Sequence, residues 1–162
     1  MLLVTFLLIV TVLSLSGYAI SKYKQDYYGS CLRSCDIMAE EFTEYSRQNP
    51  REDLLRDYIP KNMDKIAQQT DAFLYLFNQD GDCIYASENS GISADDLKLS
   101  TEMRSGLQKD GEYMTDSNVG KIDHSAAEPM LTRGRTFYLV RNGEEVPYYM
   151  FASSYTRQLN VY

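Results

Sequence analysis

Few side chains in this sequence have reactive chemistry. There is one histidine, His124, and there are three cysteines, Cys31, Cys35 and Cys83. A hydrolytic triad would rest on His124 alone, and no serine stands between the glycines of a nucleophile elbow. A structural zinc site needs four ligands, commonly with CxxC spacing, and the sequence has no CxxC pair. Cys31 and Cys35 lie four residues apart, on one face of a helix, where they read as small buried hydrophobes. Whether any of the three cysteines pair is left open. The acidic pairs at 40–41, 95–96 and 144–145 are far apart in sequence and read as solvated surface rather than as a divalent-cation site. No catalytic residue, metal or cofactor is expected.

Binding chemistry is better represented, because the chain carries 14 tyrosines and 6 phenylalanines. In the stretch "DAFLYLFN", alternation puts Phe73, Tyr75 and Phe77 on one face of a strand and Ala72, Leu74 and Leu76 on the other. The aliphatic face suits packing beneath a helix. The aromatic face, with its hydroxyl, suits either an ordinary core or a small-molecule pocket. Tyr85, Tyr138 and Tyr148 add hydroxyls on neighbouring strands, and Arg135 can hold a carboxylate in a two-pronged grip. The expected ligand-binding set is therefore Tyr75, Phe77, Tyr85, Arg135, Tyr138 and Tyr148. The expected ligand is a small organic acid or a similarly small polar molecule.

The elements that must position these residues follow from period and punctuation. Tyr28, Cys31, Cys35, Met38, Phe42 and Tyr45 recur at alternating steps of three and four, which predicts a long helix ending at Asn49-Pro50. Its stripe packs on the domain's own sheet or pairs with a second copy in a homodimer. A second helix is expected over 51–68, kinked at Pro60. Asp80-Gly81 joins two sheet-forming runs, 71–78 and "CIYASEN". The first run is apolar on both faces, so layers should cover both sides of the sheet. Ser93 with Asp96 three residues on predicts a helix over about 94–107. A strand follows in "GEYMTDSN", then a loop over 118–134. Asn142-Gly143 predicts a tight type I′ hairpin between two further strands.

The first charged side chain is Lys22. Residues 1–21 therefore form an uncharged, mostly apolar segment, and 20 helical residues span roughly 30 Å, the hydrocarbon thickness of a bilayer. The run is longer than a signal-peptide core and has no basic residue before it, so a retained anchor is expected rather than a cleaved signal. Lys22 and Lys24 follow the span, and charge alone would put that side in the cytoplasm. The remaining residues, 22–162, are enough for one domain with its own core. A net charge of −7 with no basic stripe argues against nucleic acid as a partner.

This order of elements resembles the extracytoplasmic PAS-like sensor domains, also called Cache or PDC domains, of bacterial membrane-bound two-component sensor histidine kinases. The resemblance rests on an N-terminal membrane helix running into a long helix. It also rests on "DAFLYLFNQDGDCIYAS" as strand, acidic-glycine turn and strand, and on "VPYYMFASS" as the last sheet strand. It implies an α+β fold: a five-stranded antiparallel sheet flanked by the long helix and short helices, on the outer side of the cell membrane. It also implies a ligand-sensing role, with the ATP-dependent kinase reaction outside residues 1–162. Similar domains serve chemoreceptors and membrane cyclases, and a membrane-tethered or secreted enzyme is the alternative from another class. In "DHSAAEPM" a proline follows His124 as in a phosphoacceptor box, but Ser125 and Ala127 stand where that box carries its acidic residue and arginine.

Overall fold

The computed structural model describes residues 2–70, 72–115 and 130–155, without the side chains of 2, 3, 7, 23–32, 130 and 155, among them Tyr28 and Cys31. His124 and most of the predicted 118–134 loop lie outside the described residues. The chain forms two compact units, Met1–Ser30 and Cys31–Tyr162. Helix α1 is Leu2–Gln48, and its segment Val4–Lys22 is long and apolar enough to cross a membrane. In that segment the hydroxyls of Thr11 and Ser14 donate to the carbonyls of Leu8 and Val10, at 2.9 and 2.8 Å. These polar groups thus find partners within the helix.

Within Cys31–Tyr162 the other elements are α2 (Tyr58–Thr70), β1 (Phe73–Phe77), β2 (Cys83–Ala86), α3 (Thr101–Asp110), β3 (Glu112–Thr115), β4 (Met130–Arg141) and β5 (Glu144–Tyr155). The five strands form one antiparallel sheet in the order β2-β1-β5-β4-β3. Its α+β class agrees with the sequence reading. Asn142 at φ 54° and Gly143 at φ 84° make the β4–β5 turn, the two positive values that a type I′ hairpin requires.

Three predicted boundaries need correction. Residues 51–57 are turns, and α2 begins at Tyr58, which puts Pro60 in its first turn. There the amide that proline lacks has no intrahelical partner anyway, so Pro60 helps start this helix instead of kinking it. The helix expected from residue 94 is a short 3-10 turn, Ala94–Asp96, whose Ser93 makes no side-chain cap. Ser100 is the effective cap: its Oγ accepts from the Met103 amide at 3.2 Å, and Gly111 at φ 73° closes α3. Finally, residues 130–134 belong to β4 rather than to a loop.

The two faces of the sheet bury different residues. Cys35, Met38 and Phe42 of α1 are buried, together with Leu74, Leu76, Phe137, Leu139, Met150 and Ala152. Phe42 meets Phe137 of β4 and Tyr58 of α2, with ring centroids 6.1 and 6.0 Å apart. The heptad-like stripe is thus the helix's packing seam against the sheet. The opposite face carries Tyr75, Phe77, Cys83, Tyr149 and Phe151, packed with Leu97, Leu99 and the α3 residues Met103 and Leu107.

Burial also decides the state of Cys35. Its thiol donates to the Met150 carbonyl at 3.5 Å, and loss of solvent, reinforced by Asp36, pushes its pKa from the usual 9.0 up to about 12. Between those values the unfolded chain has lost the proton and the folded chain has kept it. Stability should therefore fall as pH rises above about 9, by roughly 1 kcal/mol per unit from this group. Urea midpoints at pH 8 and 10 should differ less in Cys35→Ala than in the unaltered chain. Equal differences would contradict this reading. Cys83, pushed up to about 11 mainly by burial, adds a slope of the same sign to both.

Candidate functional site

Among the described residues the α3 face has a cleft of about 530 Å³ between α3, the β1–β2 turn and the β4–β5 hairpin. The turn contributes Gln79 and Asp80, α3 contributes Arg104, Leu107 and Gln108, and the hairpin contributes Thr136, Tyr138, Pro147 and Tyr149. Arg104 and Gln108 lie one helical turn apart beside the buried stripe of Met103 and Leu107, so the stripe that docks α3 also aims these two polar residues along the cleft. Arg104 Nη1 donates to the Asp80 carbonyl at 2.9 Å, tying one wall to the other. Thr136 Oγ1 donates to the Leu107 carbonyl at 3.1 Å, and the Thr136 amide donates to the Gly111 carbonyl at 2.9 Å.

Strand register explains the hairpin wall. Tyr138 is opposite Pro147 and Thr136 is opposite Tyr149, so all four side chains point to the α3 face. Pairing of β1 with β5 stops at Tyr149, and Pro147 lies just beyond it. The missing proline amide therefore falls on a free edge, where no ladder bond is lost.

The six expected ligand residues are divided by the sheet. Tyr75, Phe77 and Tyr138 share the α3 face. Only Tyr138, 43% exposed, reaches the cleft, whereas Tyr75 and Phe77 are 1% and 0% exposed in the core beneath it. Tyr85, Arg135 and Tyr148 belong to the opposite face. Tyr85 donates to Asp64 of α2, and burial together with that carboxylate raises its pKa. Tyr148 lies near Phe137, with ring centroids 6.0 Å apart, and accepts from Arg141.

Arg135 is held in a four-charge cluster. It lies 3.3 Å from Asp36 of α1 and 3.5 Å from Glu112 of β3. Arg133 reaches the same two carboxylates, gripping Asp36 through Nε at 3.1 Å and Nη2 at 2.9 Å. Alternation alone forbids Arg135 and Tyr138 from sharing a face, since odd and even positions of one strand point oppositely. The sequence reading missed Arg104, Asp80 and Gln108. The 104–108 spacing was legible, but nothing local says that α3 lies over β4 and β5.

Among the described residues no group of three or more His, Cys, Asp or Glu side chains is placed to hold a metal ion. The cleft instead offers one cationic group, one carboxylate, two amides and two aromatic rings around a space of small-molecule size.

The sheet order, the flanking helices and the cleft can now be set beside known proteins. No protein-family model matches the chain, and no curated protein matches it. Among solved structures it is similar to the ligand-binding domain of the Pseudomonas aeruginosa PAO1 amino acid chemoreceptor PctC in complex with GABA. Identity is 11% and the TM-score 0.51, over 91% of this chain and 61% of that one. The fold is PAS-like. The sensory domain of the Campylobacter jejuni chemoreceptor Tlp3, with isoleucine bound, is similar at 14% identity and a TM-score of 0.45, over 88% of this chain and 61% of that one. This PAS-like chain thus spans about three fifths of the length of those domains. Sequence identity this low carries the likeness of fold and nothing finer.

Proposed function

We propose that this chain is the extracytoplasmic signal-sensing portion of a membrane-bound receptor, that its output is a two-component histidine kinase, and that the α3-side cleft takes the ligand. The observation that carries the reading is an open polar cleft on a PAS-like sheet whose other face is closed by α1. The candidate span Val4–Lys22 in α1 supports attachment to the cell membrane. A homodimer would use another face of α1, since Cys35, Met38 and Phe42 are buried while Ile37 is 56% exposed.

The charges of the cleft favour a small molecule with a carboxylate for Arg104 and, where present, an amine for Asp80. An organic acid or a zwitterion such as the GABA held by PctC has these groups. Tyr138 supplies a hydroxyl beside them, and the buried Tyr75 and Phe77 form the floor on which Tyr149 packs.

Calorimetry with the full chain in lipid nanodiscs, against a panel of organic and amino acids, tests the site. Arg104→Ala should weaken binding by about tenfold to a hundredfold, the loss expected when a charged hydrogen-bonding partner is removed. Arg135→Ala should leave affinity unchanged, since Arg135 is on the other face. If the whole panel fails to bind, or if Arg135→Ala abolishes binding while Arg104→Ala does not, the site is wrong. The output is read on the receptor that carries this domain. Ligand-dependent phosphohistidine would support the kinase, and ligand-dependent methylation without it would make the receptor a chemoreceptor.

A further inference from the structure

The free edge of β4 links the cleft to helix α1. Strand β3 pairs with β4 only over Thr132–Arg135, which leaves the outward amides of residues 136, 138 and 140 without a strand partner. Each finds another acceptor. The Thr136 amide donates to the Gly111 carbonyl at the end of α3, the Tyr138 amide to Thr43 Oγ1 at 3.1 Å, and the Val140 amide to Ser46 Oγ at 2.7 Å. Thr43 and Ser46 lie three residues apart on α1, and one helical turn offers two hydroxyls to alternate amides of the strand.

Thr43 has its own hydrogen committed to the Ala39 carbonyl at 2.8 Å, so its oxygen faces Tyr138 as an acceptor. Tyr138 therefore touches both sides: its side chain lines the cleft and its amide is held by α1. Two turns away along α1, Asp36 is anchored by Arg133.

We propose that this strand edge, with the Thr43 and Ser46 hydroxyls as its latch, transmits occupancy of the cleft to α1. The proposal rests on the reading of the cleft as the ligand site and concerns its regulation. Filling the cleft displaces Tyr138 and with it the amide that Thr43 holds. The Asp36–Arg133 pair fixes α1 two turns before Thr43, so the displacement reaches α1 as a local shift in the segment that carries Thr43 and Ser46. Two packings of a hydrogen-bonded edge form the kind of bistable element on which such coupling depends.

The test uses the full chain in nanodiscs and a covalent occupant, so it does not require a known ligand. Gln108, exposed on the cleft wall, is changed by Gln108→Cys and labelled with N-ethylmaleimide. The unaltered chain receives the same treatment as background, and Cys35 and Cys83 are buried. Amide hydrogen exchange is then followed at Tyr138, Val140 and residues 43–47.

Labelling should change exchange at Tyr138 and across 43–47 by about fivefold, the scale of one net hydrogen bond. The α1 response should disappear when Thr43→Val and Ser46→Ala are added, and it should persist with Thr43→Ser, which keeps the hydroxyl. No response in α1 on labelling, or a response undiminished without the two hydroxyls, would overturn the coupling. A metabolite panel that fails to bind would remove the ligand reading and leave this outcome unaffected.

Discussion

Phe42→Ala is expected to destabilise the Cys31–Tyr162 unit by about 3 to 5 kcal/mol, the range for truncating a fully buried phenylalanine. The Phe42 ring is 0% exposed and stands where α1, α2 and β4 meet, edge-on to Tyr58 and tilted against Phe137. Neither neighbour can readily refill the space, because Tyr58 is already stacked on Tyr45 with centroids 4.1 Å apart and Phe137 is fixed in a paired strand. A cavity would therefore persist, and its cost would add to the lost apolar burial. Urea denaturation measures the effect. Ile37→Ala, at an exposed position of the same helix, should stay within about 0.5 kcal/mol. Equal losses from the two would show that the Phe42 stripe is not the packing seam. As a fully buried contact between α1 and the sheet, Phe42 also bears on the latch, which needs the helix to remain docked.

Gly134→Ala is expected to cost about 2 to 3 kcal/mol through overpacking. A Cβ at this position would come within 2.6 Å of Phe151 Cε1 and 2.7 Å of Cζ. Phe151 is directly opposite Gly134 in the β4–β5 pair, is 0% exposed, and meets Phe77 edge-on with centroids 5.5 Å apart. Its ring can make room only by moving into the aromatic floor of the cleft. If ring against Cβ is the cause, adding Phe151→Leu should make the double variant more stable than the sum of the two single losses predicts. Strict additivity would place the cost in the strand backbone instead. The same ring movement should lower affinity in the cleft, so stability and binding should fall together at a residue that touches no ligand.

Glycine shows how sequence and structure divide the information. At Gly143 the need was legible, because Asn-Gly between sheet-forming runs calls for two positive φ values in succession. At Gly134 it was not, since the reason for a missing side chain is an aromatic ring seventeen positions away that only strand register brings across the gap. The same contrast separates the two serines before α3. Ser93 and Ser100 both precede acidic residues, but the helix begins after the second, because Leu97 and Leu99 are drawn into the core in an extended path and delay it.

The sequence by itself determined what depends on neighbours a few residues away: an apolar span-length segment, the packing stripe of α1, the alternation of each strand, the 142–143 turn and the α+β class. Only the tertiary structure decided how the faces of different strands match. Alternation sorts each strand into two faces, but a shift of one residue in pairing exchanges them, and that register is set by contacts distant in sequence. For this reason Arg135 is bound in a cluster under α1, Arg104 stands in the cleft, and Tyr138, alone among the six expected residues, reaches the cleft with its side chain while α1 holds its amide.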